Sequence, residues 1–245
     1  ICMPHFLIES NKIKNNTIEI SDKNLYKHII KVMRSKQGEK LLFLDENQIQ
    51  YETILKEIDN NSFKAEIYKR YKSERTLPLN LYIAQSVLNS DDQISSIKKA
   101  TELGVKGIIP IYTDNCSVKA SIIKSKIKRW QTIALESVKQ CERADIPKIY
   151  DIISIPSLIK NYDYVIVFAE KYAKENFFEY LRHKTINKNK KILIIIGPEG
   201  GFSEREFEFF KENNIPLITL GSLIYRADTA LTAAITTVIN GVLYG

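Results

Sequence analysis

Three runs of almost purely apolar residues constrain the fold more than any other feature of this chain. They cover residues 164–169, 192–196 and 217–220, and each run is followed by a turn. Strands buried on both faces of a parallel sheet have this composition, because helices cover both faces and no solvated side remains. We therefore expect the C-terminal part of the chain to contain a mostly parallel sheet between layers of helices.

The segments that flank these runs alternate between strand and helix patterns. Strands are predicted over residues 80–87 and 107–112, and helices over about 90–104, 121–144 and 229–242. This alternation is typical of an α/β domain with a largely parallel sheet. None of the apolar runs reaches the ~20 residues needed to cross a bilayer, so we expect no membrane partner.

The first third of the chain follows a different pattern, in which short segments carry alternating apolar residues. Strands are predicted over residues 5–8, 17–20, 40–45, 48–58 and 62–71. One helix interrupts them, capped by Ser21 or Asp22, and Leu25, Ile29 and Met33 fall on a single face of it. Short strands interrupted by one helix favour a small β-barrel.

A polar segment that ends in proline separates the two patterns and is typical of a linker. We therefore predict a β-barrel domain over residues 1–72, a linker over residues 73–79 and an α/β domain over residues 80–245. A chain of 245 residues is long enough for each of the two domains to bury a core of its own.

The balance of charge favours a polyanionic partner. The chain has 36 Lys and Arg residues against 29 Asp and Glu residues, which gives a net charge of +7. RNA would suit such a chain through contacts with its phosphates. Lysines that merely solvate the surface would produce the same balance, so charge alone leaves both interpretations open.

Cysteine and histidine are too few and too scattered to predict a metal site. The chain has three residues of each type, with no C-x-x-C pair and no pair of histidines at ligand spacing. Unpaired thiols suit a reducing compartment. Because the N-terminus shows no basic segment followed by an apolar one, we expect a cytoplasmic protein.

Two turns that follow the buried strands are the candidate ligand site, because open α/β sheets bind ligands beyond the carboxyl ends of their strands. The first is Gly-Pro-Glu-Gly-Gly at residues 197–201, ahead of a helix with Ser203 and Glu206 as a capping box. The second, residues 220–230, combines apolar side chains with an arginine and an acid. Such a lining fits a nucleoside-like ligand, although residues 197–201 would also suit a purely structural turn.

Several common motifs of nucleotide and hydrolase chemistry are absent from the sequence. No G-x-x-x-x-G-K-[ST] is present, which argues against a P-loop enzyme, and no G-x-G-x-x-G, which argues against a dinucleotide fold. The G-x-S-x-G turn of α/β hydrolases is also missing. The residues by themselves therefore indicate a site for a nucleotide-like small molecule in an α/β domain, but they do not indicate which reaction takes place there.

An ordered set of motifs spans nearly the whole chain and resembles a known family. They are M-P-x-F at residues 3–6, a histidine-led helix ending in arginine at 28–34, K-x-x-E-L-G-V at 99–105, E-x-x-x-Q-x-x-R-x-x-x-P at 136–147, G-P-E-G-G-F-S at 197–203 and a relative of L-G-x-x-I-L-R-x-E-T-A at 220–230. In this order they resemble the SPOUT class of methyltransferases, and within it the bacterial family that methylates N3 of a uridine in small-subunit (16S) ribosomal RNA.

The resemblance implies a fold and a set of partners that composition does not reveal. It implies a PUA-like β-barrel followed by a SPOUT-type α/β domain with a parallel sheet and a C-terminal trefoil knot, which is a rare exception to the usual rules of topology. It also implies S-adenosylmethionine as the cofactor, no metal, small-subunit ribosomal RNA as the substrate, free or within an assembled subunit, and a homodimer.

The resemblance also assigns roles to individual residues. The implied catalytic residues are Arg226 and Asp228, and the implied RNA-binding residues are Arg34, Lys119 and Arg143. The implied cofactor-binding residues are Phe168, Ala169, Glu170, Ile196, Gly197, Glu199, Gly200, Gly201, Leu220, Gly221, Leu223, Ile224, Tyr225 and Ala230.

The chain departs from the family pattern at four of these motif positions. Leu223 stands where the family usually has arginine, Tyr225 where it has leucine, Asp228 where it has glutamate, and Glu142 where it has glycine. Three other functions therefore stay open: a methyltransferase of the same class acting on another RNA base, an RNA-binding protein with a decayed cofactor pocket and, more distantly, a nucleotide-dependent oxidoreductase.

The implied reaction moves a methyl group directly from a sulfonium to uridine N3, so no covalent nucleophile is needed. Arg226 is expected to stabilise negative charge that develops on the uracil carbonyl oxygens. Asp228 is expected to orient Arg226 or to accept the N3 proton. A purely structural role for Asp228, as negative charge near a helix N-terminus, is an equal alternative.

Overall fold

A computed structural model describes residues 5–245, and the chain within it divides into two compact units. The N-terminal unit combines residues 5–76 with Lys139–Asp145, and the C-terminal unit combines Leu77–Val138 with Ile146–Gly245. The start of the M-P-x-F motif lies outside the described residues, as does Cys2. No helix in residues 5–245 is long and apolar enough to cross a membrane.

The N-terminal unit is a six-stranded sheet in which short strands pair mainly in antiparallel fashion. Its strands are β1 (His5–Leu7), β2 (Ile13–Lys14), β3 (Thr17–Ile20), β4 (Lys40–Leu44), β5 (Ile49–Ile58) and β6 (Phe63–Lys72), in the order β1-β4-β5-β6-β3-β2. Among the strands described for this sheet, only β1 and β4 pair in parallel. Apolar side chains from one face, led by the fully buried Phe43 and Phe63, form the core.

The predicted helix of this unit is present, but its geometry corrects one expectation. Helix α1 (Lys23–Tyr26) starts at Asp22, whose carboxylate accepts a hydrogen bond from the Leu25 amide, as predicted. It continues as a π-helix over Lys27–Val32, which has more residues per turn than an α-helix. Met33 is therefore rotated away from the buried face and is 38% exposed, while Ile29 is fully buried.

The C-terminal unit contains the parallel sheet that the apolar runs predicted. Its strands are β7 (Asn80–Ser86), β8 (Gly107–Ile111), β9 (Lys148–Ile149), β10 (Tyr164–Phe168), β11 (Glu175–Asn176), β12 (Lys191–Ile196) and β13 (Leu217–Thr219). They are ordered β11-β13-β10-β12-β7-β8-β9, and every pairing is parallel. The α/β class with a parallel sheet is thus confirmed, and the short β9 and β11 were not predicted.

Helices cover both faces of this sheet, and each face carries its own apolar core. They are α2 (Ser90–Glu102), α3 (Ala120–Cys141), α4 (Ile155–Leu158), α5 (Phe177–His183), α6 (Glu204–Glu212) and α7 (Ala227–Tyr244). The predictions covered α2, α3 and α7 but not the short α4 and α5. Gly104 ends α2 with φ +89°, as a left-handed helix cap requires.

Helix α3 ends three residues earlier than predicted because Glu142 has a φ of 55°. Glycine adopts this left-handed conformation without strain, and other residues pay about 1 kcal/mol or more for it. In the family pattern that this motif resembles, glycine stands at this position, which is the residue that such a conformation favours. In this chain the carboxylate of Glu142 forms an ion pair with Arg75.

The register of the parallel strands places three turns along one edge of the sheet. Phe168 at the end of β10 lies beside Ile196 at the end of β12 and beside Ile218 in β13. The segments that follow β10, β12 and β13 therefore leave the sheet side by side. This is the edge at which α/β sheets bind their ligands.

Candidate active site

A cavity of about 600 Å³ lies at this carboxyl edge, among the three turns. Its size is in the range of small-molecule sites. The residues that line it are Phe168, Ala169, Glu170, Lys171, Ile196, Gly197, Pro198, Glu199, Gly200, Gly201, Phe202, Phe207, Leu220, Ile224, Tyr225, Arg226, Ala227 and Ala230. The lining combines apolar walls with glycine backbone and a few charged groups, which suits a nucleoside with a polar tail.

The structure gathers nearly all the predicted cofactor-binding residues around this cavity. The exceptions are Gly221 and Leu223, which are not part of the lining, and Leu223 is 66% exposed. Gly221 has a φ of +127°, and its amide donates a hydrogen bond to the Thr219 hydroxyl at 3.0 Å. Gly221 therefore shapes the turn after β13 rather than forming the cavity wall.

Two glycines give the turn after β12 its shape. A Cβ atom on Gly197 would lie 3.1 Å from the ring of Phe202, and Gly201 has a φ of +68°. Asn115, in the segment after β8, donates hydrogen bonds to the carbonyl oxygens of Gly200 and Gly201 at 3.2 and 3.0 Å. A side chain at Gly197 would crowd the aromatic ring, so glycine there keeps the backbone close to the cavity.

The predicted capping box fixes the start of α6 directly after this turn. The Ser203 hydroxyl accepts a hydrogen bond from the Glu206 amide at 3.2 Å, and Glu206 accepts one from the Ser203 amide at 2.8 Å. Ser203 also donates to Asp114 at 2.5 Å, and Arg205 pairs with the same carboxylate. These hydrogen bonds, Ser203 first, hold the pKa of Asp114 below its usual value.

Arg226 lines the cavity at the start of α7 and has an exposed side chain. It is the N-cap residue of that helix, but its side chain makes no capping hydrogen bond. In residues 5–245 it takes part in no ion pair. The guanidinium group is therefore a cation at the cavity that remains available to a ligand.

Asp228 does not line the cavity, although it is only two residues further along the chain. Its carboxylate accepts a hydrogen bond from Lys99 of α2 at 2.8 Å, and the Ser95 hydroxyl lies 3.5 Å away. The Lys99 contact is the main reason that the pKa of Asp228 is below its usual value. A carboxylate held in this way is a weak base, so the structure favours the structural role over proton abstraction.

Loss of the Lys99 contact is expected to change how stability depends on pH. The pKa of Asp228 is lower in the folded state than in the unfolded chain, where an aspartate titrates at about pH 4. The ion pair with Lys99 therefore stabilises the fold fully above about pH 4. This stabilisation disappears as the pH falls through the folded-state pKa. Lys99→Met should therefore lower the free energy of unfolding by about 1 kcal/mol at pH 7, since the pair is partly exposed, and by less in acid.

Urea unfolding at several pH values would measure this difference. Lys98→Met is the matched control, because Lys98 is the exposed neighbour of Lys99 on the same helix. A deficit in Lys99→Met that stayed constant from neutral pH into acid would contradict the assigned contact.

The three predicted RNA-binding residues have different environments. Arg34 is exposed and has a φ of 58°, and Lys119 is exposed just before α3. Arg143 is only 5% exposed, its Nε donates a hydrogen bond to Asp145 at 3.0 Å, and its Nη2 forms an ion pair with the same carboxylate at 2.9 Å. The structure therefore does not support a direct contact between Arg143 and RNA, because its charge is buried and paired with Asp145.

Several cavity residues were not identified from the sequence. Pro198 and Phe202 belong to the G-P-E-G-G-F-S motif, so the motif itself could have revealed them. Lys171 and Phe207 carried no such signal, because they come from a loop and from the apolar face of α6. No cluster of metal-ligating side chains occurs in the part of the chain that the structure describes.

Comparison with known proteins identifies the family. A family model described as an RNA methyltransferase domain matches residues 75–239, and one described as an RNA methyltransferase PUA domain matches residues 20–68. A ribosomal RNA small subunit methyltransferase E from Buchnera aphidicola subsp. Schizaphis graminum is 32% identical over 233 residues, which cover 91% of this chain and 89% of the relative. The chain belongs to the ribosomal RNA small subunit methyltransferase E family. The resemblance carried by the ordered motifs is thereby confirmed.

Other members of this family match the chain over most of its length. The relative from Bacillus subtilis is 29% identical, covering 83% of this chain and 82% of its own. The crystal structure of the Neisseria gonorrhoeae member, bound to S-adenosyl methionine, superposes with a TM-score of 0.82 at 26% identity and covers 96% of each chain. The similarity thus extends across both units of the fold.

Proposed function

We propose that this protein methylates N3 of a uridine in small-subunit ribosomal RNA, with S-adenosylmethionine as the methyl donor. The observation that carries the proposal is the cavity at the carboxyl edge, where the family's glycine turn and a cation without an ion pair, Arg226, lie together. The Neisseria gonorrhoeae relative, which is bound to S-adenosyl methionine, supports the choice of cofactor.

The residues of the cavity fit this cofactor. Phe168, Ile196 and Leu220 provide apolar surface for an adenine ring, and the glycine turn exposes backbone groups for polar contacts. A Cβ atom on Gly197 would lie 3.1 Å from the ring of Phe202, so a side chain there would require the ring to move by a few tenths of an ångström. When bound, S-adenosylmethionine supplies a methyl group activated by its positively charged sulfur.

The protein then has to orient the base and stabilise the charge that appears as uridine loses its N3 proton. Arg226 would donate hydrogen bonds to a uracil carbonyl oxygen; in support, its guanidinium lies at the cavity and has no carboxylate partner in the described part of the chain. Asp228 would act indirectly: with Lys99 it anchors the first turn of α7, from which Arg226 extends.

Three further features of the protein follow from the family and are proposals. The C-terminal unit would thread a trefoil knot. The protein would act as a homodimer, and it would work in the cytoplasm on free RNA or on an assembled subunit.

Mass spectrometry of methylated RNA would test the proposed activity. Small-subunit ribosomal RNA, free or assembled, would be incubated with the protein and isotopically labelled S-adenosylmethionine, then digested to nucleosides. We expect labelled 3-methyluridine. Label on another nucleoside would show that the enzyme modifies a different base, and absence of label from both substrates would overturn the proposal.

A further inference from the structure

A second cavity, of about 650 Å³, lies in the C-terminal unit near the opposite edge of the parallel sheet. Lys148 is the first residue of β9, Lys191 is the first residue of β12, and Tyr82 is near the start of β7. The cavity is thus at the amino ends of the strands, whereas the candidate active site is at their carboxyl ends. We call it the tyrosine pocket, after Tyr82, Tyr150 and Tyr162, which line it together with the two lysines.

Three aromatic rings shape the tyrosine pocket. The rings of Tyr82 and Tyr162 meet edge to face, with centroids 5.2 Å apart. A Cβ atom on Gly107 would lie 2.7 Å from the ring of Tyr150 and 2.9 Å from that of Tyr82. The absence of a side chain at Gly107 therefore lets these two rings approach the sheet, and they offer aromatic surface to the cavity.

The hydroxyl groups of these tyrosines are available as hydrogen-bond donors. In residues 5–245 none of the three hydroxyl groups makes a hydrogen bond within the protein. Burial, the larger effect, and the neighbouring tyrosines raise the pKa of Tyr162 to about 12 and also raise the pKa of Tyr82. The two phenols are therefore protonated at physiological pH and can donate to an acceptor oxygen.

The charge at the pocket is mainly positive. The amino group of Lys148 lies 4.7 Å from the ring centroid of Tyr150, and Lys191 is close enough to Tyr82 to oppose the rise of its pKa. Neither lysine takes part in an ion pair within the described residues. Asp151 is the only acidic residue of the lining in that part of the chain, and the amides of Gln131 and Asn161 add neutral polar groups.

Aromatic rings, phenolic donors and unpaired ammonium groups together match the chemistry of a nucleotide. Bases stack on aromatic side chains, and phosphates bind lysines and hydroxyl donors. We propose that the tyrosine pocket binds a nucleotide of the substrate RNA, with its base against the tyrosine rings and its phosphate against Lys148 and Lys191. This inference rests on the proposed function, because it takes RNA to be the substrate.

The consequence is a second RNA contact on the C-terminal unit, remote from the base that is methylated. Because it does not touch the reacting atoms, the pocket would contribute to the affinity for RNA and leave the chemical step unchanged. Variants of the pocket should therefore raise the KM for RNA while kcat and the affinity for S-adenosylmethionine stay the same.

The test compares variants of the full-length protein in RNA binding across a range of salt concentrations. Lys148→Gln with Lys191→Gln should reduce the slope of log affinity against log salt by about 0.7, because the two lysines hold one phosphate and each phosphate contributes ~0.7 for single-stranded RNA. Tyr150→Ala should weaken binding about ten-fold through loss of stacking. Lys184→Gln with Lys211→Gln, at two exposed lysines outside the pocket lining, is the charge-matched control pair.

Uridine monophosphate and single-stranded RNA are the two probes, because a free nucleotide and an RNA nucleotide share the same chemistry. The proposal is upheld if the pocket variant, Lys148→Gln with Lys191→Gln, binds RNA less tightly than the control pair does and shows a higher KM. It is overturned if the pocket variant and the control pair bind RNA with equal affinity. This holds even if the two proteins differ in their affinity for uridine monophosphate, because the pocket would then bind a free nucleotide. Methylation by the unmodified protein is measured in a separate assay, so failure of the proposed activity can be told apart from failure of the proposed RNA contact.

Discussion

Arg226→Ala is expected to reduce methyl transfer by a factor of about 10² to 10³, the usual effect of removing one group that stabilises developing negative charge. The guanidinium group lies at the cavity, at the start of α7, and pairs with no carboxylate in residues 5–245. Its loss should leave the affinity for S-adenosylmethionine within a few-fold, because the apolar walls and the glycine turn remain. Single-turnover assays with saturating RNA and cofactor would measure the rate, and calorimetry would measure the affinity.

Two further variants test whether the loss of rate is due to the guanidinium group of Arg226. Arg182→Ala removes an exposed arginine in the last turn of α5, away from the cavity lining, and should leave the rate unchanged. Arg226→Lys keeps the charge but loses the planar pair of donors, so its rate should fall between those of the unmodified protein and Arg226→Ala. Full activity in Arg226→Ala would remove Arg226 from the proposed mechanism.

Phe210→Ala is expected to destabilise the C-terminal unit by about 3 to 5 kcal/mol, the cost of a large cavity in a packed core. The Phe210 side chain is fully buried and packs edge to face on Phe202, with centroids 5.1 Å apart. Phe202 lines the cavity of the candidate active site and meets Gly197, so the void would form directly behind the glycine turn. Urea unfolding, followed by circular dichroism, would measure the loss.

Phe178→Ala is the matched control for this substitution. Phe178 is 52% exposed at the start of α5, so removal of its ring should cost little. Equal destabilisation by the two variants would show that the packing around Phe210 does not limit the stability of the unit.

The strands and the cavity could be predicted from the sequence because their signals are local. An apolar run such as residues 192–196 is informative by itself, since a short run of this composition, followed by a turn, is typical of a strand buried on both faces. The turn at residues 197–201 follows from its position after that strand. The capping box of α6 was equally readable, because Ser203 and Glu206 stand at the required spacing.

Features that depend on contacts distant in the sequence were not predictable. Lys99 and Asp228 are 129 residues apart, and only the packing of α2 against α7 brings them together. Arg143 and Asp145 are only two residues apart, but the burial of the Arg143 side chain depends on the rest of the folded chain. The π-helix that rotates Met33 outward had no distinguishing pattern, because its apolar spacing fits an α-helix.

The N-terminal unit is formed by two separate stretches of the sequence, and this limits where the protein can be cut into independent domains. The amide of Ala144 donates a hydrogen bond to the carbonyl oxygen of Arg75 at 2.9 Å, and Glu142 pairs with Arg75, so the second stretch is bonded to the first. A fragment that stops at residue 76 would lack these partners. A fusion protein made by joining two genes at residues 73–79 would therefore contain an incomplete β-domain, because residues 139–145 would be missing from it.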